Sequence, residues 1–231
     1  MRKVVVLASG GLDSTTLLWD YAQKVGAQNV FAFSVNYGQR HSVELDHVCA
    51  LVHRLHCAHR IVDAGNAFLE SKSRLIDARI PLASETYEQQ SRRARVIPSN
   101  VELRNLVLIS LAASYAMQID ADTVAIGAHA SDFAYPDCSP RFLAGLQDTI
   151  FSGSAEQVTL EAPLLNTDKR EVIELGMSLG VPYELTWSCY SGGAHPCGRC
   201  PSCLDRARAF REAGYPDPAE SVAMSHGDAA R

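Results

Sequence analysis

The chain has no long apolar run and no excess of basic residues. Its most apolar stretch, residues 106–119, contains Ser110, Ser114 and Gln118, and it is shorter than the ~20 residues that a membrane span needs. Near the start, the apolar run at residues 4–8 is too short for the apolar region of a signal peptide. We therefore expect a cytoplasmic protein that does not contact a membrane.

The charge balance argues against a protein whose main ligand is a nucleic acid. The 231 residues include 21 Lys and Arg against 26 Asp and Glu, a formal net charge of −5. Tight binding to RNA or DNA relies on basic side chains that neutralise phosphates, so direct nucleic-acid binding is not expected here. Hydrophobic residues make up 47% of the chain, which is enough for a packed core and excludes an intrinsically disordered protein.

Apolar β-branched segments alternate with helical patterns along the chain. Strands are predicted at residues 3–8, 30–35, 61–63 and 123–127, and helices at residues 14–25, 42–55, 104–119 and 204–213. This alternation requires crossover connections, which produce a parallel sheet covered on both faces. We predict an α/β domain with a doubly wound parallel sheet at 1–185, a cysteine-rich helical segment at 186–215, and a loosely held tail at 216–231.

A glycine-rich turn lies between the first predicted strand and the first predicted helix. Residues 9–15 read Ser-Gly-Gly-Leu-Asp-Ser-Thr. Glycines let the backbone approach a ligand closely, and the N–H groups and dipole at a helix start attract anions. Ser9, Ser14 and Thr15 add hydroxyl donors, and Asp13 is suited to hold a divalent cation against phosphate oxygens. The turn predicts a phosphate-binding site, and an ordinary capped turn is the alternative.

Four cysteines near the C-terminus follow the spacing C-x7-C-x2-C-x2-C: Cys189, Cys197, Cys200 and Cys203. Four thiolates this close together in a reducing compartment suit a tetrahedral Zn²⁺ ion. An iron–sulfur cluster is the main alternative, because four cysteines also hold those clusters. With all four ligands supplied by protein, we expect one structural zinc ion per chain, which folds the 186–215 segment.

The glycine-rich turn lacks the Gly-Lys-Ser/Thr of the common nucleoside-triphosphate loop and the spacing of the dinucleotide fingerprint. It instead resembles the pyrophosphate loop of the N-type ATP pyrophosphatases. The resemblance implies an adenine nucleotide alpha hydrolase-like fold, ATP with Mg²⁺ as cosubstrate, and an adenylated intermediate. It also implies catalytic roles for Asp13 and Ser14, and these ATP-binding residues: Ala8, Ser9, Gly10, Gly11, Leu12, Asp13, Ser14, Thr15, Thr16, Leu17 and Leu18.

Two further short motifs narrow the resemblance from a superfamily to one family. Residues 36–41 read Asn-Tyr-Gly-Gln-Arg-His, and residues 135–138 read Tyr-Pro-Asp-Cys. With the turn and the cysteines, they resemble the 7-cyano-7-deazaguanine synthase (QueC) family from about residue 3 to residue 214. The resemblance implies a homodimeric ligase that uses ATP to convert 7-carboxy-7-deazaguanine and ammonia into the nitrile, for queuosine or other deazapurine pathways. It also implies a catalytic role for Arg104.

The deazapurine is expected to bind beyond the carboxyl ends of the strands, where ligands of open parallel sheets lie. Such a molecule has a flat ring and an edge rich in N–H groups. Phe133 or Tyr135 is predicted to stack on the ring, and Asp132 or Asp137 to accept hydrogen bonds from that edge. Packing in the core is the alternative for Phe133 and Tyr135.

The chain departs from the family pattern at two places near the expected substrate. Glu102 stands where the family usually has proline, and residues 132–139 read Asp-Phe-Ala-Tyr-Pro-Asp-Cys-Ser where the family commonly has Asp-x-Ser-Gly-Tyr-Pro-Asp-Cys-Arg. These departures leave open a similar ligase that adenylates a different carboxylate. A tRNA-modifying enzyme of the superfamily and a non-catalytic nucleotide-binding module are further alternatives; the charge balance and the intact turn argue against them.

The remaining polar and cysteine residues are predicted to be mainly structural. His41 is expected to be a surface or capping histidine, with a catalytic role as the alternative. The long polar stretch at residues 64–100 is expected to be functional or mobile; its residues Arg92, Arg93 and Arg95 are expected to face solvent, or else to clamp a carboxylate or phosphate. The other cysteines are predicted to be packing residues: Cys49, Cys57 and Cys138, the last with a reactive thiol as the alternative.

Overall fold

A computed structural model describes residues 2–129 and 134–219. Five parallel strands form one sheet in the order β3-β2-β1-β4-β5. The strands are β1 (Val4–Leu7), β2 (Val30–Asn36), β3 (Ala58–Asp63), β4 (Thr123–Ala125) and β5 (Thr159–Glu161). The predicted α/β fold with a doubly wound parallel sheet is confirmed.

The central strand is apolar at every position because both of its faces are covered. Val4 and Val6 pack into one core cluster with side chains of the first two helices, whereas Val5 and Leu7 pack into the cluster on the opposite face. Successive strand residues point to opposite faces, so a strand covered on both sides has no place for a polar side chain.

Helices cover the two faces of the sheet. They are α1 (Leu12–Val25), α2 (Glu44–Leu55), α3 (Tyr87–Ser91), α4 (Arg104–Gln118), α5 (Pro140–Gly153), α6 (Lys169–Ser178) and α7 (Pro201–Ala213). Side chains of α1, α2 and α6 share one core cluster, and those of α4 and α5 share the other. A third cluster joins α1, α6 and α7 through Leu12, Ile173 and Phe210, which fixes the C-terminal helix to the domain.

The strand order creates a crevice at the centre of the sheet. The chain runs outward from β1 through β2 to β3, then returns to β4 on the other side of β1. Connections that leave β1 and β4 on opposite faces open a crevice at the carboxyl ends of those strands, where ligands bind in such folds. The glycine-rich turn after β1 lies at this point.

The sequence patterns locate the first four strands and miss several later elements. Strands β1 to β4 and helices α1, α2, α4 and α7 lie at the predicted places with bounds shifted by a few residues. The short strand β5 and the helices α3, α5 and α6 were not predicted. The stretch at residues 64–100 is anchored to the domain by three side chains that are nearly fully buried: Phe68, Leu75 and Ile97.

The cysteine-rich segment packs against the domain through α7. Arg206, on that helix, is 6% exposed and forms two hydrogen bonds of 2.8 Å with the carboxylate of Asp217. Asp217 thereby fixes the start of the segment that follows α7. In the part of the chain that the structure describes, no helix has the length and apolar character needed to cross a membrane.

Candidate active site

A cleft opens where the turn after β1 meets the segments that follow β2 and β4. The described residues enclose a cavity of about 250 Å³ there. Its walls combine hydroxyl and charged groups of the glycine-rich turn and α6 with the Arg104 cation and several tyrosine rings. They include Ser9, Asp13, Ser14, Lys169, Arg104, Tyr37, Tyr87, Tyr135 and Tyr190.

The glycine-rich turn owes its shape to two close backbone approaches. Gly10 has φ of +79°, and a Cβ atom there would lie 2.6 Å from the backbone oxygen of Glu44. A Cβ on Gly127, just after β4, would lie 3.2 Å from the backbone nitrogen of Ser14. A side chain at Gly10 would push α2 away from the turn, so that position requires glycine, whereas one at Gly127 would fit only if the turn moved by a few tenths of an ångström.

The start of α1 offers hydrogen-bond donors to an anion. Gly11 is its N-cap, and no side chain of the described residues caps it. The first N–H groups of a helix have no partner within the helix, and the helix dipole adds positive potential. The hydroxyls of Ser9 and Ser14 lie 3.2 Å apart, and Ser14 Oγ accepts from the Ser9 backbone N–H. The turn therefore has the donors that a phosphate group needs.

Asp13 lies at the centre of a charged cluster in the cleft. Its Oδ2 is 2.8 Å from the amino group of Lys169 and 3.6 Å from Nε2 of His129. Burial raises the pKa of Asp13, but the interactions with Lys169 and His129 outweigh it and hold the pKa well below its usual range. Its Oδ1 is buried and has no hydrogen-bond partner among residues 2–129 and 134–219, which leaves that oxygen available to a cation.

Sequence reasoning missed Lys169 because its surroundings are formed by distant parts of the chain. Asp168 caps α6 in a capping box with Glu171, which places Lys169 at the first helical position and points it toward the cleft. Its amino group also lies 3.5 Å from Oδ2 of Asp205 on α7. The capping box, Asp168-x-x-Glu171, is a signal that would have marked the helix start.

Arg104 places a partly buried positive charge in the same cleft. Its guanidinium lies over the Tyr37 ring at 5.4 Å and donates to the Tyr37 hydroxyl at 3.3 Å. Burial lowers the pKa of Arg104, but its neighbours Tyr37, Asp137 and Tyr135 raise it above the usual value. The side chain is therefore a permanent cation beside an aromatic ring, suited to an anionic or electron-rich ligand.

Three tyrosine hydroxyls meet beside Arg104. Tyr190, from the cysteine-rich segment, lies 2.6 Å from the Tyr87 hydroxyl and 3.3 Å from that of Tyr135. The hydroxyl of Ser99 is 3.0 Å from that of Tyr135. Burial raises the pKa of all three phenols, so they stay neutral and offer both flat apolar faces and hydrogen bonds.

The structure separates the predicted ATP-binding residues into two groups. Six line the cleft: Ala8, Ser9, Gly11, Leu12, Asp13 and Ser14. Thr15, Thr16, Leu17 and Leu18 do not line the cleft that the described residues form; they pack or form hydrogen bonds outside it. Leu17 and Leu18 are in the core under α1, and Thr16 is 2.7 Å from the buried Tyr183 hydroxyl. Thr15 donates its hydroxyl to the Gly11 carbonyl at 2.7 Å.

The predicted substrate-binding residues also differ in their positions. Tyr135 lines the cleft, but Asp137 does not belong to the lining that the described residues form. The Asp137 carboxylate instead accepts from the backbone N–H of Asn105 at 2.9 Å, which anchors the start of α4. Asp132 and Phe133 lie outside the described residues.

Several residues predicted to be merely structural have different surroundings. His41 is 3% exposed and lines the cleft, so the expectation of a surface histidine is wrong. Cys49 is exposed rather than packed, because it lies on the outward face of α2. Cys138 is buried and lines the cleft, with Asn105 Nδ2 3.2 Å from its sulfur.

Arg92 and Arg93 match their prediction. They pair with Glu88 and Glu85 at the exposed surface, as expected for residues that face solvent.

The four C-terminal cysteines lie close enough together to hold a metal ion. Their sulfur atoms lie within 4.8 Å of one another, and three of the four residues are buried. The backbone N–H of Cys197 donates to Cys189 Sγ at 3.2 Å, and that of Cys200 donates to Cys197 Sγ at 3.3 Å. Hydrogen bonds from the Cys200 and Cys203 thiols and from Ser191 lower the pKa of Cys189. Clustered sulfurs that accept N–H donors suit metal-bound thiolates.

The metal site is joined to the glycine-rich turn through Trp187. The Trp187 backbone N–H donates to the Gly10 carbonyl at 2.9 Å, and its indole N–H donates to the Cys189 carbonyl at 2.7 Å. The indole ring also packs on His47, with the ring centroids 5.1 Å apart. One residue therefore links the cysteine cluster to the backbone of the glycine-rich turn.

The parallel sheet with helices on both faces has a counterpart among solved structures. The U34-tRNA thiolase NcsA from Methanococcus maripaludis, solved with its [4Fe-4S] cluster, has a similar fold. Its TM-score is 0.51 at 16% sequence identity, over 98% of this chain and 72% of that one. At this identity the likeness concerns the fold alone.

The chain belongs to the QueC family. A family model described as "Queuosine biosynthesis protein QueC" matches residues 3–214. The 7-cyano-7-deazaguanine synthase of Caldicellulosiruptor saccharolyticus is 40% identical over 221 residues, which cover 95% of each chain. The enzyme of the same name from Pseudoalteromonas atlantica is 39% identical over 223 residues, 95% of this chain and 99% of that one. The family resemblance found in the motifs is confirmed.

Proposed function

We propose that the protein is a ligase that uses ATP and ammonia to convert 7-carboxy-7-deazaguanine into 7-cyano-7-deazaguanine. The observation that carries this proposal is a single cleft lined both by the glycine-rich turn with Asp13 and Lys169 and by Arg104 with three tyrosines. Such a cleft brings the α-phosphate of a nucleotide next to a flat, carboxylated ring. The activity named for the relatives requires that juxtaposition.

The chemistry explains why a nucleotide is needed. A carboxylate does not react with ammonia because its oxygen is a poor leaving group. Transfer of AMP to that oxygen makes a good leaving group, and ammonia then displaces AMP to form a primary amide. The amide oxygen is again a poor leaving group, so a second adenylation at the same site precedes loss of AMP and formation of the nitrile.

The residues of the cleft divide this work between them. The N–H groups at the start of α1 and the hydroxyls of Ser9 and Ser14 hold the pyrophosphate end of ATP. Asp13 binds Mg²⁺ through its unpartnered oxygen. Lys169, 2.8 Å from Asp13, stabilises the charge that accumulates as pyrophosphate leaves. Arg104 binds the carboxyl or carbonyl oxygens of the substrate, and Tyr135 packs on its ring.

The departures from the family pattern do not alter the wall of the cleft that the described residues form. Glu102 accepts a hydrogen bond from Ser71 at 2.6 Å at the surface. Ser139 caps α5 by accepting from the Phe142 N–H at 3.3 Å. Ala134 is buried outside the lining. This supports the deazapurine over a different carboxylate as the substrate.

The four cysteines suit one zinc ion rather than a cluster. Four sulfurs at about 2.3 Å from a single ion lie about 3.8 Å apart, and the sulfurs here lie within 4.8 Å of one another. A [4Fe–4S] cluster has a different iron at each cysteine, so its sulfurs lie further apart. With four protein ligands, the zinc ion stabilises the local fold and leaves no open coordination position for a reactant.

We further propose that the protein acts in the cytoplasm as a homodimer.

The stoichiometry of the reaction tests this function. We expect two ATP consumed per nitrile, with two AMP and two pyrophosphate released, and we expect the enzyme to accept 7-amido-7-deazaguanine as a substrate. Nucleotides and deazapurines are quantified together by chromatography. Release of ADP and phosphate, or failure to convert the supplied amide, would contradict the mechanism. ATP–pyrophosphate exchange that responds to other acids but not to 7-carboxy-7-deazaguanine would identify a different substrate.

A further inference from the structure

His41 and Glu44 form a buried pair against the glycine-rich turn. His41 Nε2 lies 3.3 Å from Glu44 Oε2, the two residues are 3% and 8% exposed, and both line the cleft. A Cβ on Gly10 would lie 2.6 Å from the Glu44 carbonyl, so the start of α2 touches the turn. The pair is therefore next to the place where a nucleotide reacts.

A second buried polar side chain orients Glu44. Gln39 Nε2 donates to Glu44 Oε1 at 2.9 Å, and Gln39 Oε1 accepts from the Tyr37 backbone N–H at 2.8 Å. The backbone N–H fixes which end of the Gln39 amide points to Glu44. The carboxylate then faces His41 with its other oxygen. Because a carboxylate only accepts, it favours the tautomer of His41 that is protonated at Nε2 and accepts at Nδ1.

The other nitrogen of His41 lacks a ligand that the described residues supply. Its Nδ1 is buried and has no hydrogen-bond partner among them. Tyr190 packs on the imidazole with ring centroids 5.2 Å apart, and a Cβ on Gly192 would lie 3.0 Å from the His41 Cα. A buried acceptor without a donor is unfavourable. In a residue that lines the cleft, this arrangement points to a donor on the bound reactants.

We propose that His41, oriented by Glu44, is the general base for the attack of ammonia, an assignment that rests on the proposed function. The ammonia nitrogen forms a bond to the carbonyl carbon of the acyl adenylate, and the bond from that carbon to the AMP oxygen breaks. AMP leaves with the electron pair, and one proton of the attacking nitrogen passes to His41 Nδ1. Glu44 is a positioning residue that stabilises the imidazolium.

His41→Asn separates adenylation from the attack of ammonia. ATP–pyrophosphate exchange with 7-carboxy-7-deazaguanine, measured without ammonia, should stay within a few-fold of that of the unmodified protein. Amide formation from ammonium should fall by about 10²–10³-fold, the usual contribution of a general base. The residual rate should rise with pH in proportion to the unprotonated ammonia, since no base remains in the site.

Hydroxylamine provides a readout that a merely structural role would not change. Hydroxylammonium is a much stronger acid than ammonium, so the adduct that hydroxylamine forms loses its proton with less help from a base. His41→Asn should therefore form the hydroxamate at a rate much closer to that of the unmodified protein than its rate of amide formation. Glu44→Gln should show the same pattern more weakly, because an amide at this position no longer favours the accepting tautomer of His41.

The matched control is His53→Asn, at an exposed position on α2, the helix that follows His41, which should leave every rate unchanged. Amide formation by His41→Asn at the unmodified rate overturns the assignment of His41. Equal losses of exchange, amide and hydroxamate formation also overturn it, because they indicate a structural role. If the unmodified protein shows neither exchange nor amide, the proposed function itself is wrong.

Discussion

The amino group of Lys169 lies 2.8 Å from Oδ2 of Asp13, although 156 positions separate the two residues in the sequence. The two charges neutralise each other in the cleft. A nucleotide with its cation offers each of them a partner of opposite charge, since phosphates attract the lysine and the metal ion attracts the carboxylate. The pair thus keeps one group in place for the phosphates and one for the metal ion before the nucleotide binds.

Asp13→Asn should reduce turnover by about two orders of magnitude while leaving the fold intact. The amide cannot supply a charged oxygen to Mg²⁺, so the dependence on Mg²⁺ concentration should also shift upward. Initial rates across a magnesium titration, with a thermal melt for folding, measure both effects. Asp20→Asn is the control, since Asp20 lies on the same helix and pairs with Lys24. Normal activity of Asp13→Asn at limiting Mg²⁺ would show that Asp13 has another role.

Lys169→Met should weaken ATP use in both adenylations. It removes a charge that faces the leaving pyrophosphate, so we expect about a 10²-fold loss in kcat/KM for ATP with either the acid or the amide as substrate. Arg170→Met changes the neighbouring, half-exposed residue, which pairs with Glu174, and should have little effect. A loss confined to one of the two substrates would rule out a role in a shared site.

Arg104→Gln should raise the KM for the acid by about 10- to 100-fold, because removing one partner of a buried charged contact costs about 2 kcal/mol or more. The KM for ATP should change little, since the side chain of Arg104 contacts Tyr37 and Asn105 and not the glycine-rich turn. Steady-state kinetics with each substrate varied in turn separate these effects. Arg141→Gln, at an exposed position on α5, serves as the control. A rise in the KM for ATP alone would place Arg104 at the nucleotide instead.

Gly10→Ala should destabilise the protein more than Gly180→Ala does. Both residues have positive φ, which costs an alanine about 1–2 kcal/mol. At Gly10 the added carbon also meets the Glu44 carbonyl, whereas at Gly180 nothing lies within 4 Å. Urea unfolding of the two variants measures the difference, which we expect to be about 1–3 kcal/mol. Equal stabilities would mean that α2 is free to move away from the turn.

Cys200→Ser should lose the metal and leave an unstable or insoluble protein, because metal binding and local folding are coupled. Elemental analysis of the unmodified protein should give about one zinc per chain. Cys49→Ser, at an exposed cysteine, should keep both metal and solubility. Iron with visible absorbance in the unmodified protein would favour a cluster, and a stable protein without metal would exclude a structural ion.

Local patterns predict the parts of this fold that depend on nearby residues. The apolar run at β1 and the glycines after it have a meaning that does not depend on the rest of the chain, because burial on two faces and close backbone approach leave few alternatives. The cysteine spacing is equally local. The family resemblance then locates Arg104, which no periodicity would have singled out.

Features that depend on distant contacts could not be predicted in the same way. His41 looks like a surface histidine until the cysteine-rich segment places Tyr190 and Gly192 against it. Asp137 looks like a ligand for the substrate, but the start of α4 takes its carboxylate through Asn105. In both cases an element far along the chain determines the surroundings of the side chain, and the local sequence does not predict that contact.

The hydrogen bond from Trp187 to the Gly10 carbonyl has a thermodynamic consequence. If the metal ion stabilises the conformation of the segment that carries Trp187, it also favours the nucleotide-binding conformation of the turn. Linkage is reciprocal, so whatever factor the metal adds to the affinity for ATP, ATP adds to the affinity for the metal. Saturating nucleotide should therefore slow the removal of the metal by a chelator, and a metal-free chain should bind ATP weakly even though no metal ligand touches it.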